Sequence, residues 1–134
     1  MSAALDALAG SALEIDGIQS AAIFTASSGL ADHSLVLAGV AGISGPALDG
    51  LIEAVTNPNH PIRRAFTDSG PTFDVQPMNP GGPALRSHLP IRRTSGNGAA
   101  LGVVAVAHDR ALDATARREL EALAAAAAET ISQA

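Results

Sequence analysis

Apolar residues at both ends of the chain recur every three or four positions, which is the spacing of one helical face. Residues 2–14 follow this spacing at the start, and Gly17 ends the segment. An alanine-rich stretch from Asp113 to about Ile131 follows it near the end. We predict a helix at each end, with the Asp113 side chain capping the second. Its five consecutive alanines, 124–128, would let another helix approach closely.

Between these helices lie apolar, β-branched segments bounded by turn-forming residues, which is the pattern of strands. The segments are residues 18–26, 35–43, 72–75, 85–91 and 101–108. The first two are joined by a run rich in Ser, Gly and Asp, and the last two by a run rich in Ser, Gly and Asn. We therefore predict two hairpins.

The middle of the chain favours short helices and an irregular loop. Residues 46–55 place apolar side chains on one helical face, and Pro58 stops that helix. A second short helix is predicted over 60–68. Residues 76–83 contain three prolines and two glycines, so they predict a surface loop or a lid.

Three of the predicted strands are apolar at almost every position, namely within 21–26, 35–41 and 101–107. An antiparallel strand with one face in water should instead alternate between apolar and polar residues. Both faces of the sheet must therefore be covered. The terminal helices can cover one face, and the middle helices and the Pro/Gly loop remain for the other.

Composition limits the domain count and the chemistry. A length of 134 residues fits one domain over 1–134, and 47% hydrophobic residues argue against disorder. The net charge of -5 argues against a nucleic-acid surface, and no apolar run approaches the ~18 residues needed to span a bilayer. We predict a cytoplasmic location.

Two residue types are absent. Without Cys the chain has no thiolate nucleophile, no thiolate metal site and no thioether-linked chromophore. Without Lys it cannot form a Schiff base, and all eight of its Lys or Arg residues are Arg. No Gly-x-Ser-x-Gly elbow is present either, so we predict that the chain is not an enzyme.

Three segments, in this order, resemble the GAF domain, a cytoplasmic sensor fold related to PAS domains. Residues 60–71 (HPIRRAFTDSGP) are similar to its short helix that ends in Gly and leads to a strand. Residues 87–91 (SHLPI) resemble its strand ending in Pro-aliphatic. Residues 101–106 (LGVVAV), followed by Leu112 and Asp113, resemble its final strand and capped last helix. The resemblance spans nearly the whole chain.

The resemblance implies an α+β domain with an antiparallel sheet of five to six strands in the order 2-1-5-4-3. It places the terminal helices on one face and a ligand cavity on the other, under short helices and loops. The branches of the family that attach a chromophore or reduce free methionine sulfoxide need a Cys that this chain lacks. The Asn-Lys-Phe-Asp-Glu set of cyclic-nucleotide-binding members cannot be complete without Lys, so cyclic nucleotides are unsupported.

The register of the last hairpin decides which side chains face the cavity. If it turns near Gly96, His88 lies opposite Val104. Alternation then places one set of side chains toward the cavity: Arg86, His88, Val104, Val106 and His108. The other set faces the closing helix: Leu85, Ser87, Leu89, Val103, Ala105 and Ala107. A one-residue slip would reverse this assignment.

Arg86 and His88 are the main candidate ligand residues, with His108 beside them. Arg86 could bind a carboxylate or phosphate, and His88 could supply a switchable hydrogen bond or a metal or haem bond. Alternatively, both side chains form hydrogen bonds with loop carbonyl groups and thereby hold the predicted lid in place. A buried Arg86 needs an anionic partner, which could be Asp74 or Asp109.

Other candidates have weaker support. Phe66, Phe73 and Met78 flank the lid and either line an apolar pocket or belong to the core. His88 and His108 would lie roughly 13 Å apart along the strands, too far for one metal, and haem is not favoured. Three pairs of adjacent Arg residues, at 63–64, 92–93 and 117–118, indicate solvated faces and ion pairs, such as Arg117 with Glu121, rather than a nucleic-acid site.

We therefore expect a non-enzymatic regulatory domain of GAF type. It would bind a small molecule of unknown identity between the sheet and residues 60–88 and signal through its terminal helices or a partner. The alternative is a dimerisation or scaffold module without a ligand, in which the first and last helices form a two-fold bundle. We expect a homodimer through the terminal helices, and we expect neither a nucleic acid nor a membrane as a binding partner.

Overall fold

The computed structural model describes residues 3–26, 35–43, 45–55, 62–64, 71–75, 85–92 and 100–133. The helices are α1 (Ala3–Ala12), α2 (Gly45–Ala54) and α3 (Ala114–Gln133), and residues 62–64 are also helical. The strands are β1 (Ile18–Ala26), β2 (Leu35–Ala41), β3 (Thr72–Val75), β4 (Leu85–Arg92) and β5 (Ala100–His108). Each element lies where the residue pattern predicts one.

The five strands form one antiparallel sheet in the order β2-β1-β5-β4-β3. This confirms the predicted α+β class and strand order. The central strands β1 and β5 are buried along most of their length, whereas the edge strand β2 leaves Val36 51% exposed. The apolar character of β1 and β5 is thus explained by packing on both of their faces.

The terminal helices cover one face of the sheet, as predicted. Their buried residues join those of the strands in one core, which includes Leu120 at 0% exposure. Burying one leucine in this way contributes roughly 1.5–3 kcal/mol. The helix residues of this core are Leu5, Ala9, Ala12, Ala116, Leu120, Leu123, Ala124, Ala127 and Ala128. Four alanines of α3, Ala116, Ala124, Ala127 and Ala128, therefore pack in the same core as α1.

The middle of the chain covers the opposite face. Val55 and Ile62 are buried in a second core, against which Leu51 of α2 also packs. The strand residues of this core are Ala22, Phe24, Leu35, Val103 and Ala105. Residues 60, 61 and 65–68 of the predicted short helix and the loop 76–83 lie outside the described residues.

The register between β4 and β5 differs from the prediction by one residue. Arg92 lies opposite Ala100, as a turn near Gly96 requires, but Ile91 then lies opposite Gly102. Leu101 is thus an extra residue on β5, a β-bulge that shifts all later pairs. His88 consequently lies opposite Ala105 instead of Val104.

Two side chains fix the ends of the fold. Asp113 accepts a hydrogen bond from the Ala116 amide at 2.8 Å, which confirms it as the N-cap of α3. Asp6 of α1 accepts one from the Val40 amide of β2 at 3.0 Å. Helix α1 crosses β2 closely at Gly39, where a Cβ atom would lie 2.6 Å from the Leu5 carbonyl. None of the helices in the described part of the chain is sufficiently long and apolar to cross a bilayer.

Candidate functional site

Arg86 and His88 lie on the sheet face that is turned away from the terminal helices. Their partners on β5 are Ala107 and Ala105, and Ala105 belongs to the core on that face. Two residues along a strand are about 7 Å apart, so the two side chains are neighbours on one surface. Their predicted orientation is therefore correct, and their role as ligand residues stays a prediction.

Small residues surround these two side chains. Two rows cross the face from β1 to β3: Ala22, Ala105, His88 and Thr72 in one, and Ser20, Ala107, Arg86 and Val75 in the next. The β1 and β5 members of both rows are Ala or Ser, and all four are buried. Larger apolar residues, Phe24 and Val103, follow toward one end. The polar side chains thus stand beside a floor with little side-chain volume.

Arg86 is half-buried and has an unused donor. Its Nε atom is buried and has no hydrogen-bond partner among the described residues. Neither of its two expected partners pairs with it, since Asp74 binds Arg117 and Asp109 lies 3.7 Å from the Nε of Arg110. A buried guanidinium donor without an acceptor is costly, so this Nε is chemically suited to an additional hydrogen-bond acceptor.

His88 is only 2% exposed. Its Nδ1 lies 3.3 Å from the Thr72 hydroxyl on the adjacent strand β3. Burial and a hydroxyl partner hold the ring in one orientation. Any ligand on this face would thus meet a fixed imidazole.

His108 lies on the other face, contrary to the prediction, because the bulge at Leu101 reverses β5. It is 0% exposed and shares the terminal-helix face with Val104 and Val106. Its Nδ1 lies 2.7 Å from the Arg110 carbonyl oxygen, and its Nε2 lies 2.8 Å from the Ser87 Oγ. Both ring nitrogens are therefore engaged away from the predicted cavity.

These contacts define a continuous hydrogen-bond chain. A carbonyl only accepts, so the Nδ1 of His108 carries a hydrogen and donates to Arg110, and its Nε2 forms a hydrogen bond with the Ser87 hydroxyl. The Ser87 Oγ in turn accepts from the Asp74 amide at 3.1 Å. Ser87 and His108 are spaced like the Ser and His of a catalytic triad, yet Ser87, like His108, is 0% exposed. The pair is satisfied internally and offers a substrate no access.

Asp74 holds the start of α3. Its backbone is left-handed, with φ of 59°, a conformation uncommon outside glycine. Its Oδ1 accepts from the Leu112 amide at 3.0 Å, and its Oδ2 accepts from the Arg117 guanidinium at 2.7 Å. Burial acts to raise the pKa of Asp74, but the Leu112 amide, Arg117 and nearby His108 outweigh it and lower that pKa.

Phe73 also lies on the terminal-helix face. Its ring packs against the core of that face, and the Arg117 guanidinium sits 4.6 Å from the ring centroid. The expected pair of Arg117 with Glu121 is therefore replaced by contacts with Phe73 and Asp74. Of the two interpretations of Phe73, the structure favours the core, and the ring does not border Arg86 and His88.

Two further candidates, Phe66 and Met78, lie outside the described residues. Within the described segments, no three His, Asp or Glu side chains are grouped so as to hold a metal ion. A shallow depression of about 270 Å³, open to solvent, lies between α3 and β4. It is lined by Pro71, Leu89, Pro90, Arg92, Glu121, Ala124 and Ala125, so it is separate from the predicted cavity.

Sequence reasoning missed the cluster of Ser87, Asp74 and Arg117. The only available signal was the adjacency of Phe73 and Asp74 in a short strand, since Asp is tolerated in left-handed positions. Arg117 is 43 residues away from Asp74 in the chain. No local pattern identifies such a contact.

Comparison with solved structures finds several similar folds. The GAF domain region of a protein from Geobacter sulfurreducens PCA aligns with a TM-score of 0.74 and 16% identity, covering 98% of this chain and 92% of that one. The second GAF domain of DevS from Mycobacterium smegmatis aligns with a TM-score of 0.66 and 18% identity, covering 96% and 91%.

An enzyme has a similar fold as well. The structure of fRMsr of Staphylococcus aureus in complex with its substrate aligns with a TM-score of 0.63 and 12% identity, covering 95% of this chain and 81% of that one. No protein-family model and no curated protein matches the chain. At these identities, the comparisons establish the fold alone.

Proposed function

We propose that this chain, which has the GAF fold, is a non-enzymatic regulatory domain that binds a small anionic molecule. The ligand would lie on the sheet face opposite the terminal helices, beneath α2 and residues 62–64. Arg86 would bind its carboxylate or phosphate group, and His88 would hydrogen-bond to a neighbouring polar atom. The GAF domains among the similar structures support a sensory role.

The observation that carries this proposal is the buried Nε of Arg86, which has no hydrogen-bond partner among the described residues and lies beside a floor of small side chains. Arg86 and His88 stand at one side of this floor, while Phe24 and Val103 close one end of it. A ligand with one anionic end and a compact apolar body would satisfy both features. It would give the Arg86 Nε an acceptor and place its apolar body against the small side chains of the floor.

The case against catalysis also rests on particular residues. The fRMsr of Staphylococcus aureus binds a substrate on a similar fold. This chain lacks the Cys that the methionine-sulfoxide-reducing branch needs. The Ser87–His108 pair lies on the opposite face in the core, where both residues are fully buried. We therefore propose recognition without covalent chemistry.

Binding can be tested with the intact chain and defined probes. Native mass spectrometry of the purified protein would reveal any retained small molecule. Calorimetric titration with succinate, inorganic phosphate and AMP would then be compared between the wild type and Arg86→Ala. For the probe that binds, we expect Arg86→Ala to weaken affinity about tenfold or more, because a hydrogen bond to a charged group is worth roughly 1.5–3 kcal/mol.

Arg118→Ala is the matched control, because Arg118 is an exposed cation on α3. It should bind the same probe with wild-type affinity. Equal affinity of Arg86→Ala and the wild type would contradict the proposed site. A protein that retains no ligand, binds none of the three probes and forms a stable dimer would instead support the scaffold alternative.

A further inference from the structure

Strand β3 contains one residue more than its partner strand requires. Thr72 lies opposite His88, and Val75 lies opposite Arg86. Three steps along β3 thus match two steps along β4, so Phe73 and Asp74 share the position opposite Ser87. The extra residue is accommodated by the left-handed backbone of Asp74.

This bulge is maintained by contacts on the terminal-helix side. The Asp74 amide donates to Ser87, and the carboxylate accepts from the Leu112 amide and from Arg117. A residue other than glycine is unfavourable in the left-handed region unless its surroundings hold it there. Without these contacts, we expect Asp74 to return to an extended conformation.

An extended Asp74 would remove the bulge and change its partner. Counting from the Thr72–His88 pair in a regular antiparallel ladder, Asp74 comes to lie opposite Arg86. Directly opposite residues have side chains on the same face with Cβ atoms about 5 Å apart, and opposite charges there attract. The Arg86 Nε, which has no partner within the described segments, would then gain one.

We infer that Asp74 exchanges between two arginine partners, Arg117 on α3 and Arg86 on the opposite face, as β3 shifts its register. In the first arrangement the carboxylate anchors the start of α3. In the second, α3 loses both the Leu112 and the Arg117 contacts. A short edge strand with one bulge thereby connects the two faces of the sheet.

The effect of a ligand on this switch rests on the proposed function. An anion bound to Arg86 would occupy the position that Asp74 needs in the second arrangement. Binding would therefore favour the first arrangement and a fixed α3. By linkage, an anchored Asp74 would raise the affinity of Arg86 for the anion to the same degree.

The switch can be tested without any ligand by amide hydrogen exchange measured by NMR. The Leu112 amide reports on Asp74 directly, and the Val104 amide in the fully buried centre of β5 reports on global unfolding. Arg86→Gln removes the alternative partner, so the Leu112 amide should exchange about threefold more slowly relative to Val104. Arg117→Gln should make it exchange several-fold faster.

Two variants control for charge and for folding. Arg86→Lys keeps a cation at position 86, which Asp74 faces in the second arrangement. Its Leu112 amide should therefore exchange at the wild-type rate. Arg118→Gln changes an exposed cation of α3 and should leave the Leu112 amide unchanged. If Arg86→Gln leaves the relative exchange of Leu112 unchanged or makes it faster, Asp74 is only a structural anchor and the inference is overturned.

An arm with inorganic phosphate separates this inference from the proposed function. Phosphate should slow Leu112 exchange in the wild type and have no effect in Arg86→Gln. If Arg86→Gln slows exchange but none of phosphate, succinate and AMP does so in the wild type, the switch stands and the anion site is contradicted. If phosphate slows Leu112 exchange to the same degree in Arg86→Gln, the anion binds elsewhere. The proposed link between the anion site and the Asp74 switch is then overturned.

Discussion

The Ser87 hydroxyl forms a hydrogen bond with the Nε2 of His108 across 2.8 Å, in a position where neither side chain is exposed. The same oxygen accepts from the Asp74 amide, so one small side chain links β3, β4 and the end of β5. The interaction therefore organises the edge of the sheet next to the start of α3. Its loss should affect stability.

Replacing Ser87 with Ala should destabilise the protein by about 2 kcal/mol or more. The substitution leaves the Asp74 amide without its acceptor and the buried His108 nitrogen without its hydrogen-bond partner, and each unsatisfied buried group costs roughly 1–3 kcal/mol. Urea unfolding monitored by circular dichroism would measure this change. Ser11→Ala is the control, because Ser11 is exposed on α1 and bonds only to its own helix. A loss for Ser87→Ala no larger than that of the control would contradict the role of the hydrogen-bond chain.

Asp74 should make the stability depend on pH in the acid range. The folded protein holds the pKa of Asp74 below its ordinary value of 3.8. The carboxylate therefore stabilises the fold above about pH 4 and loses this contribution as the pH falls through the lowered pKa. Urea unfolding from pH 7 to pH 2.5 should show a steeper acid loss for the wild type than for Asp74→Asn. Parallel curves would show that Asp74 is not stabilised by its partners.

The N-cap of α3 should contribute more to stability than an exposed ion pair. Asp113→Ala removes the acceptor of the Ala116 amide and should cost about 1 kcal/mol. Asp16→Ala removes the carboxylate that pairs with Arg110, in which the side chains are 84% and 61% exposed, and should change stability very little. Thermal and urea unfolding of both variants would check the order. A larger loss for Asp16→Ala would contradict it.

Two glycines should respond to alanine in opposite directions. A Cβ atom at Gly102 would clash with the Phe24 carbonyl oxygen, so Gly102→Ala must push β1 and β5 apart. Gly50 lies inside α2, and a Cβ atom there would meet nothing within 4 Å. Gly50→Ala should stabilise the protein by roughly 0.5–1 kcal/mol, since alanine favours helix over glycine. Melting temperatures would separate the variants, and a rise for Gly102→Ala would refute the contact.

The helices and strands and their order along the chain could be predicted, because each element depends on a local residue pattern. β1 runs from Ile18 to Ala26 and β3 from Thr72 to Val75, both with the predicted bounds. The Asp113 cap and the burial of both sheet faces likewise follow from residue type and spacing. Such features need no knowledge of distant contacts.

The site was only partly predictable, because β-bulges determine which face of the sheet each side chain occupies. The orientation of Arg86 and His88 was correct, but the extra residue at Leu101 moved His108 to the other side. A bulge depends on how a strand fits its two neighbours, and at Gly102 the β1 backbone comes close to β5. The Asp74–Arg117 pair depends on tertiary approach over 43 residues. Neither the bulge at Leu101 nor the Asp74–Arg117 pair leaves a clear signal in the local sequence.

The hydrogen bond from Val40 to Asp6 has a consequence for how this chain behaves in a crowded solution. β2 is a seven-residue edge strand that carries neither a charge nor a proline, the usual defences against aggregation. Its outward Val40 N–H is already occupied by the carboxylate of α1. An added strand would have to displace the Asp6 carboxylate before it could pair with the Val40 N–H, so the first helix blocks one hydrogen-bonding position on this edge of the sheet.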